Sequence, residues 1–264
     1  MNFMYFKAAK LLFFILVLSG PVFADDSNKE TYNWTGVYVG GFVGGASSAN
    51  ISSSEPISNQ FGYWNKPYAN SNNYDTNASF IGGGTVGYNW QVPKTPLLIG
   101  LEGEYGYLDM SGSNSDPNTT PWNVTNQPSP LPETGGHSTN IGGSYGYGLV
   151  GGRVGYTMDR VLLYVKSAAV FTNTQTNYDE PFPIDRLSTS GKSNMVGYGI
   201  GGGIEYALPF QWSNNISIKT EYLYLGINRT QTTSGTDSYA GYTWATTDKI
   251  SGISTAKIGV NYKF

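Results

Sequence analysis

No cysteine occurs among the 264 residues, which excludes disulfide staples, thiolate metal sites and a thiol nucleophile. Histidine is nearly absent too, with His137 the single copy. Charge is scarce: Asp, Glu, Lys and Arg make up 12% of the chain and the net charge is −3, so no basic surface suggests nucleic-acid binding. Nowhere does an apolar run reach the roughly 20 residues of a membrane-spanning helix. In place of these, the chain has 35 Gly, 21 Tyr, 12 Phe and 6 Trp. Its mean hydropathy is −0.29, because Asn, Ser and Thr stand where Lys and Glu are usual. So many aromatics argue against disorder, and so much Gly with β-branched residues argues against amphipathic helices.

Lys7 and Lys10 precede the apolar run Leu11 to Leu18, followed by Gly20, Pro21 and then Val22-Phe23-Ala24 before Asp25. That order reads as a secretory signal peptide over residues 1–24. Removing it takes two lysines and no acid, so the net charge moves from −3 to −5. Residues 25–33 read as a short polar periplasmic lead.

The last ten residues, Thr255 to Phe264, organise the rest. Ile258, Val260, Tyr262 and Phe264 fall on one side of an extended strand, and Lys257, Gly259, Asn261 and Lys263 on the other. An apolar row opposite a polar one suits a wall with lipid outside and a polar lumen inside. Earlier segments supply seven more strands, separated alternately by long polar stretches at 50–77, 111–138, 174–192 and 229–247 and by short turns at 92–96, 158–160 and 208–212. In the first strand, Val37, Val39 and Val43 or Tyr38 and Phe42 fit the lipid side equally well. The prediction is an all-β fold over residues 34–264: an eight-stranded antiparallel up-and-down transmembrane β-barrel with four long outer loops and three short periplasmic turns.

Tyr32-Asn33-Trp34-Thr35-Gly36-Val37-Tyr38-Val39-Gly40-Gly41, Gly100-Leu101-Glu102-Gly103-Glu104, Gly152-Arg153-Val154-Gly155-Tyr156, Lys219-Thr220-Glu221-Tyr222-Leu223-Tyr224 and Lys257 to Phe264 together resemble a known family. It is the porin-like outer-membrane immunogenic and haemin-binding protein family of Gram-negative bacteria, which shares its barrel with the OmpA transmembrane domain. The resemblance implies an outer-membrane location, with the loops extracellular and both mature ends periplasmic. It covers the strands and leaves out the long loops. Unlike OmpA, no cell-wall-binding domain is expected after the last strand. The closing Tyr262-Lys263-Phe264 is similar to the terminal signal read by the barrel assembly machinery, which singles out Tyr262 and Phe264.

Fixing the phase by the lipid-facing rows sends eight charges inward: Glu102, Glu104, Arg153, Lys166, Glu205, Lys219, Glu221 and Lys257. Neighbouring strands set Glu102 or Glu104 beside Arg153, Glu205 beside Lys219 and Glu221 beside Lys257, while Arg153 and Lys166 confront like charge. Enclosed charges need partners, so a salt-bridged plug is expected. Three dinucleotide-like patterns, starting at Gly82, Gly146 and Gly197, run on into strand where phosphate binding needs a helix N-terminus. No catalytic, metal or cofactor site is assigned. His137 reads as a solvated loop histidine; with the loop tyrosines Tyr63, Tyr68 and Tyr74 it belongs to the residue types that ligate haem, and no spacing selects such a site. A structural or partner-binding surface role through the loops is favoured over a small-solute channel, a haem-binding barrel or an enzyme.

Overall fold

The computed structural model describes residues 32–54, 71–115, 136–143, 146–181, 186–209, 215–236 and 243–264. The expected signal peptide and most of the lead lie outside them, as do Tyr63 and Tyr68. The described residues form fourteen strands. In chain order these are β1 (Gly36–Ala46), β2 (Asn50–Ser54), β3 (Ser71–Asp75), β4 (Ser79–Gln91), β5 (Leu97–Leu108), β6 (Met110–Ser115) and β7 (Gly136–Ile141). They continue with β8 (Tyr147–Met158), β9 (Val161–Pro181), β10 (Arg186–Ala207), β11 (Ile216–Gly226), β12 (Arg229–Thr236), β13 (Thr243–Ile250) and β14 (Ile253–Lys263).

Eight of them, β1, β4, β5, β8, β9, β10, β11 and β14, close into one antiparallel ring. The last strand meets the first, with Tyr38 opposite Lys263 and Ala46 opposite Thr255. Hydropathy alternation sets the faces. On β14, Ile258, Val260 and Tyr262 are exposed while Lys257, Gly259 and Asn261 are buried. β1 takes the phase with Val37, Val39 and Val43 outward and Tyr38 and Phe42 inward. Its rings find partners inside, since the Tyr38 hydroxyl reaches Glu102 and Phe42 stacks edge-on against Tyr147.

The outward rows form a continuous apolar belt bordered by aromatics. Tyr88, Trp90, Tyr156, Tyr206, Tyr262 and Phe264 are exposed at the short-turn end. At the other end Phe80, Tyr105, Tyr107, Phe171, Tyr198 and Tyr222 are exposed, with Tyr224 half-buried. Such a belt meets hydrocarbon, with the rings at its two interfaces. Lys94 and Asp159, with φ of 61° and 52°, make the left-handed corners of two short turns.

The four polar stretches differ from their expectation as loops. Their described parts are strands: β2 with β3, β6 with β7, the upper halves of β9 and β10, and β12 with β13 are antiparallel hairpins that carry the wall beyond the apolar belt. This outer tier consists of two four-stranded sheets, β6-β7-β9-β10 and β12-β13-β2-β3. The first continues the barrel sheet. Between β3 and β6 the Asn77 amide donates to the Ser111 carbonyl at 2.8 Å. Ser, Thr and Asn fill these strands because water lies outside them and polar groups lie within, so hydropathy does not alternate.

Inside, the barrel is layered. A lower apolar cluster comprises Tyr32, Trp34, Leu98, Leu162, Tyr164 and Ala207. An upper one includes Phe42, Ile81, Leu108, Leu149, Val170 and Leu223. Between these clusters lie the inward charges.

Candidate functional site

Local sequence positions the charges in a simple way: each occupies an inward place on a strand whose outward neighbours are apolar, Gly or, at Ser167 and Thr220, a small hydroxyl residue. All eight are buried, with relative exposures of 1–5%. Glycine on the inner face makes room for long side chains. A methyl added at Gly87 would lie 2.2 Å from the Tyr38 hydroxyl, and one at Gly203 would lie 2.6 Å from that of Tyr164.

At the centre the Lys166 ammonium meets Glu102 Oε1 at 2.5 Å, Glu104 Oε1 at 2.6 Å and Glu221 Oε2 at 3.2 Å. These carboxylates come within 4.8 Å of one another, an arrangement that suits a cation, and the ammonium supplies it. Lys257 bridges Glu104 Oε2 at 2.7 Å and Glu221 Oε1 at 2.8 Å, with its Nζ over the Phe42 ring. Lys219 reaches Glu102 Oε2 at 3.1 Å.

Arg153 forms the other pole. Its Nη1 lies 3.1 Å from Glu205 Oε2 and 3.6 Å from Glu102 Oε2, while Nε and Nη2 both donate to Asn89 Oδ1. The Tyr38 and Tyr164 rings flank the guanidinium at 4.7 and 5.1 Å. The remaining carboxylate lone pairs accept from hydroxyls and an amide: Tyr38 on Glu102, Tyr147 on Glu104, Tyr164 on Glu221, and Ser217 with Asn261 on Glu205. Four acids and four bases thus form one neutral, hydrogen-bonded cluster.

Of these ion pairs, only Arg153 with Glu102 and Lys257 with Glu221 join neighbouring strands; the others cross the lumen, and one expected neighbour pair is replaced. Lys219 stands directly opposite Glu205 in register, yet its ammonium goes to Glu102. Long side chains aimed at a narrow axis meet across the lumen, and Glu205 is already engaged by Arg153, Ser217 and Asn261. Sequence reasoning missed the supporting groups Tyr38, Tyr147, Tyr164 and Asn89. The signal that would have found them is period two, since Tyr164 shares an inward row with Lys166, and Asn89 one with Thr85.

His137 is not a solvated loop residue. It lies on β7 with 3% exposure, its ring 4.8 Å from that of Tyr178 and its Nδ1 4.0 Å from Asp248 Oδ1 on β13. The strand continues past the apolar belt, which carries His137 into the interior of the outer tier. Tyr74 also points inward, and its hydroxyl lies 2.8 Å from Thr139 Oγ1. Burial pushes the Tyr74 hydroxyl up to about 12. These contacts, with Thr174 to Gln231 at 3.3 Å and Thr176 to Thr233 at 3.4 Å, join the two outer sheets across their shared interior.

The short-turn mouth is covered from below by Tyr32 to Trp34. The Trp34 indole donates to the Asp159 carbonyl at 2.9 Å, the Tyr32 amide to Asp159 Oδ1 at 3.0 Å, and Lys263 to the Asn33 carbonyl. Tyr262 and Phe264 lie outside, ring against ring at 5.2 Å, and the Phe264 amide bonds the Val37 carbonyl.

A family model described as the outer membrane protein β-barrel domain matches residues 11–264. The 31 kDa outer-membrane immunogenic protein of Brucella melitensis is 26% identical over 262 residues, covering 94% of this chain and 91% of that protein. The 22 kDa outer membrane protein of Rhizobium leguminosarum is 25% identical over 197 residues, or 74% of this chain and 65% of that one. Among solved structures, Neisserial surface protein A aligns at a TM-score of 0.34 and 12% identity, covering 87% of this chain and 98% of its own. Ail, the attachment invasion locus protein of Yersinia pestis, aligns at 0.33 and 10%, covering 86% and 99%.

Proposed function

This chain belongs to the outer membrane protein β-barrel domain family, and from that premise we propose that it is a sealed surface barrel whose working part is the tier of hairpins beyond the membrane. The tier faces the cell exterior and both mature ends face the periplasm. The single observation that carries the reading is the Lys166 ammonium clasped by three carboxylates in mid-lumen, because that cluster fills the axis a solute would follow. An eight-stranded interior is narrow enough for side chains to fill. Trp34 and Tyr32 over the lower mouth and the apolar layer above support it further.

The role left to such a barrel is structural or partner-binding, exercised through the hairpins. The name of the Brucella relative, an immunogenic protein, supports surface display. Catalysis is not part of this reading, since the one imidazole is buried against Tyr178 and Asp248. Neither is haem ligation: His137 and Tyr74, the two of the four candidate ligands that lie among the described residues, direct their polar tips at Asp248 and Thr139. Tyr262 and Phe264, outward at the end of β14, are the proposed recognition point for assembly.

Planar-bilayer recording of the refolded protein tests the seal. The expected result is low resting conductance. Steady, large single-channel currents from the unmodified protein would make it a diffusion channel instead.

A further inference from the structure

We propose that the β10–β12–β13 side of the outer tier is a docking face for the phosphorylated head groups of the glycolipid that surrounds the barrel in the outer leaflet. The proposal rests on the tier facing the cell exterior. Its starting point is the distribution of outward charge just above the apolar belt. On β10, Val196, Tyr198 and Ile200 are exposed members of the belt, and the next two outward positions are Asn194 and Lys192, both exposed. Lys192 stands four residues above Val196, roughly 13 Å along the strand at about 3.3 Å per residue before tilt reduces the height. That is head-group depth.

Two further cations share this side. Lys249 on β13 is exposed and stands opposite Thr230 of β12. Arg229, the first residue of β12, is exposed, and its Nη1 donates to the Asn194 carbonyl at 3.1 Å, which ties β12 to β10 at this level. Gly191 lies close beside Gln231 and Thr233, so Lys192 and the outward Thr230 and Thr232 are neighbours. β13 pairs with β12, and the Arg229 contact joins β12 to β10, so the three cations occupy one sector of the tier. Exposed Thr230 and Thr232 add hydroxyls between them.

No carboxylate stands at this level of the three strands among the described residues. Asp248, next to Lys249, points inward and is buried. Asp179 is four positions further up β9 than Gln175, the register partner of Lys192. Asp75 and Asp109, both exposed, belong to the opposite side, on β3 and between β5 and β6. The occupant is argued from sign and continuity: basic groups beside a membrane surface attract anionic head groups within a Debye length, and this face continues the belt that already meets lipid. A phosphorylated sugar head group offers both the anions and the hydroxyls that such a face accommodates.

The test is native mass spectrometry of the full-length mature protein released from phosphatidylcholine nanodiscs that contain bisphosphorylated lipid A, dephosphorylated lipid A or phosphatidylglycerol. Heat-modifiable electrophoretic mobility verifies folding of each variant, and Lys94→Gln, on the opposite rim, controls for loss of charge. The unmodified protein is expected to retain bisphosphorylated lipid A at least about tenfold more than a Lys192→Gln/Arg229→Gln/Lys249→Gln variant does, and to retain the dephosphorylated form only at the variant's level. Equal retention by the two proteins overturns the proposal, as does equal retention of phosphatidylglycerol. Binding of a soluble sulfated oligosaccharide that depends on the three cations, with lipid A retention unchanged, would make the occupant a glycan and also overturn it. A tier facing the periplasm would appear in surface accessibility and leave nanodisc retention unaltered, so the two failures are separable.

Discussion

Arg153 on β8 and Lys166 on β9 stand directly opposite one another, two buried like charges at one level of the wall. The barrel separates their obligations: Arg153 turns to Glu205 and Asn89, Lys166 to Glu104 and Glu221, and Glu102 lies between the two cations. Neither cation is therefore replaceable by the other. Neutralising either leaves the buried cluster with one uncompensated negative charge.

That relationship gives the first prediction. Arg153→Gln should cost roughly 3–5 kcal/mol, because it leaves the buried Glu205 carboxylate without its cation. Glu221→Gln should also destabilise, because it sets four buried cations against three carboxylates. Urea unfolding in lipid vesicles measures the loss, and bilayer recording should show a leak in any variant that still folds. Unchanged stability together with unchanged conductance would mean that the cluster is hydrated and replaceable.

The apolar belt yields a second prediction. Ile200→Arg and Ile258→Arg place a charge in the lipid-facing row, at an expected cost of roughly 2–4 kcal/mol near mid-membrane and much less toward the rims. Both side chains are exposed in the ring. Refolding stability equal to the parent protein would reverse the faces assigned to β10 and β14.

Orientation can be read on intact cells. An epitope inserted between Ser54 and Ser71, or between Ser115 and Gly136, should bind antibody from outside, whereas one at the Asp159–Arg160 turn should not. The opposite labelling pattern would turn the barrel over.

The outer tier should respond to alkali through Tyr74. Its hydroxyl is pushed up to about 12 by burial, above its ordinary value near 10. The opened state then releases the proton first, so the stabilisation is fully present below about pH 10 and declines as pH rises toward 12. Tyr74→Phe should remove this pH dependence of tier opening, measured by hydrogen exchange of β3 and β7 amides. The phenylalanine variant keeping the same alkaline profile would place the sensitivity elsewhere.

The sequence alone determined the ring. Period-two alternation and turn chemistry are local properties, and a wall with hydrocarbon on one side leaves that alternation plain in β14 and β10. The same alternation sent eight charges inward, since no residue between two lipid-facing neighbours can point anywhere else. Tertiary structure decided the rest. Lys219 bonding Glu102 rather than the adjacent Glu205 depends on how eight side chains share one narrow axis, a distance set by closure and not by any segment. The hairpins at β2 with β3 and β12 with β13 were illegible because both of their faces are polar, which erases the contrast that marks a strand. His137 followed from that error: once β7 continues the wall, its ring is carried into an enclosed interior against Tyr178 and Asp248, and only the meeting of two sheets far apart in sequence could bring those three together.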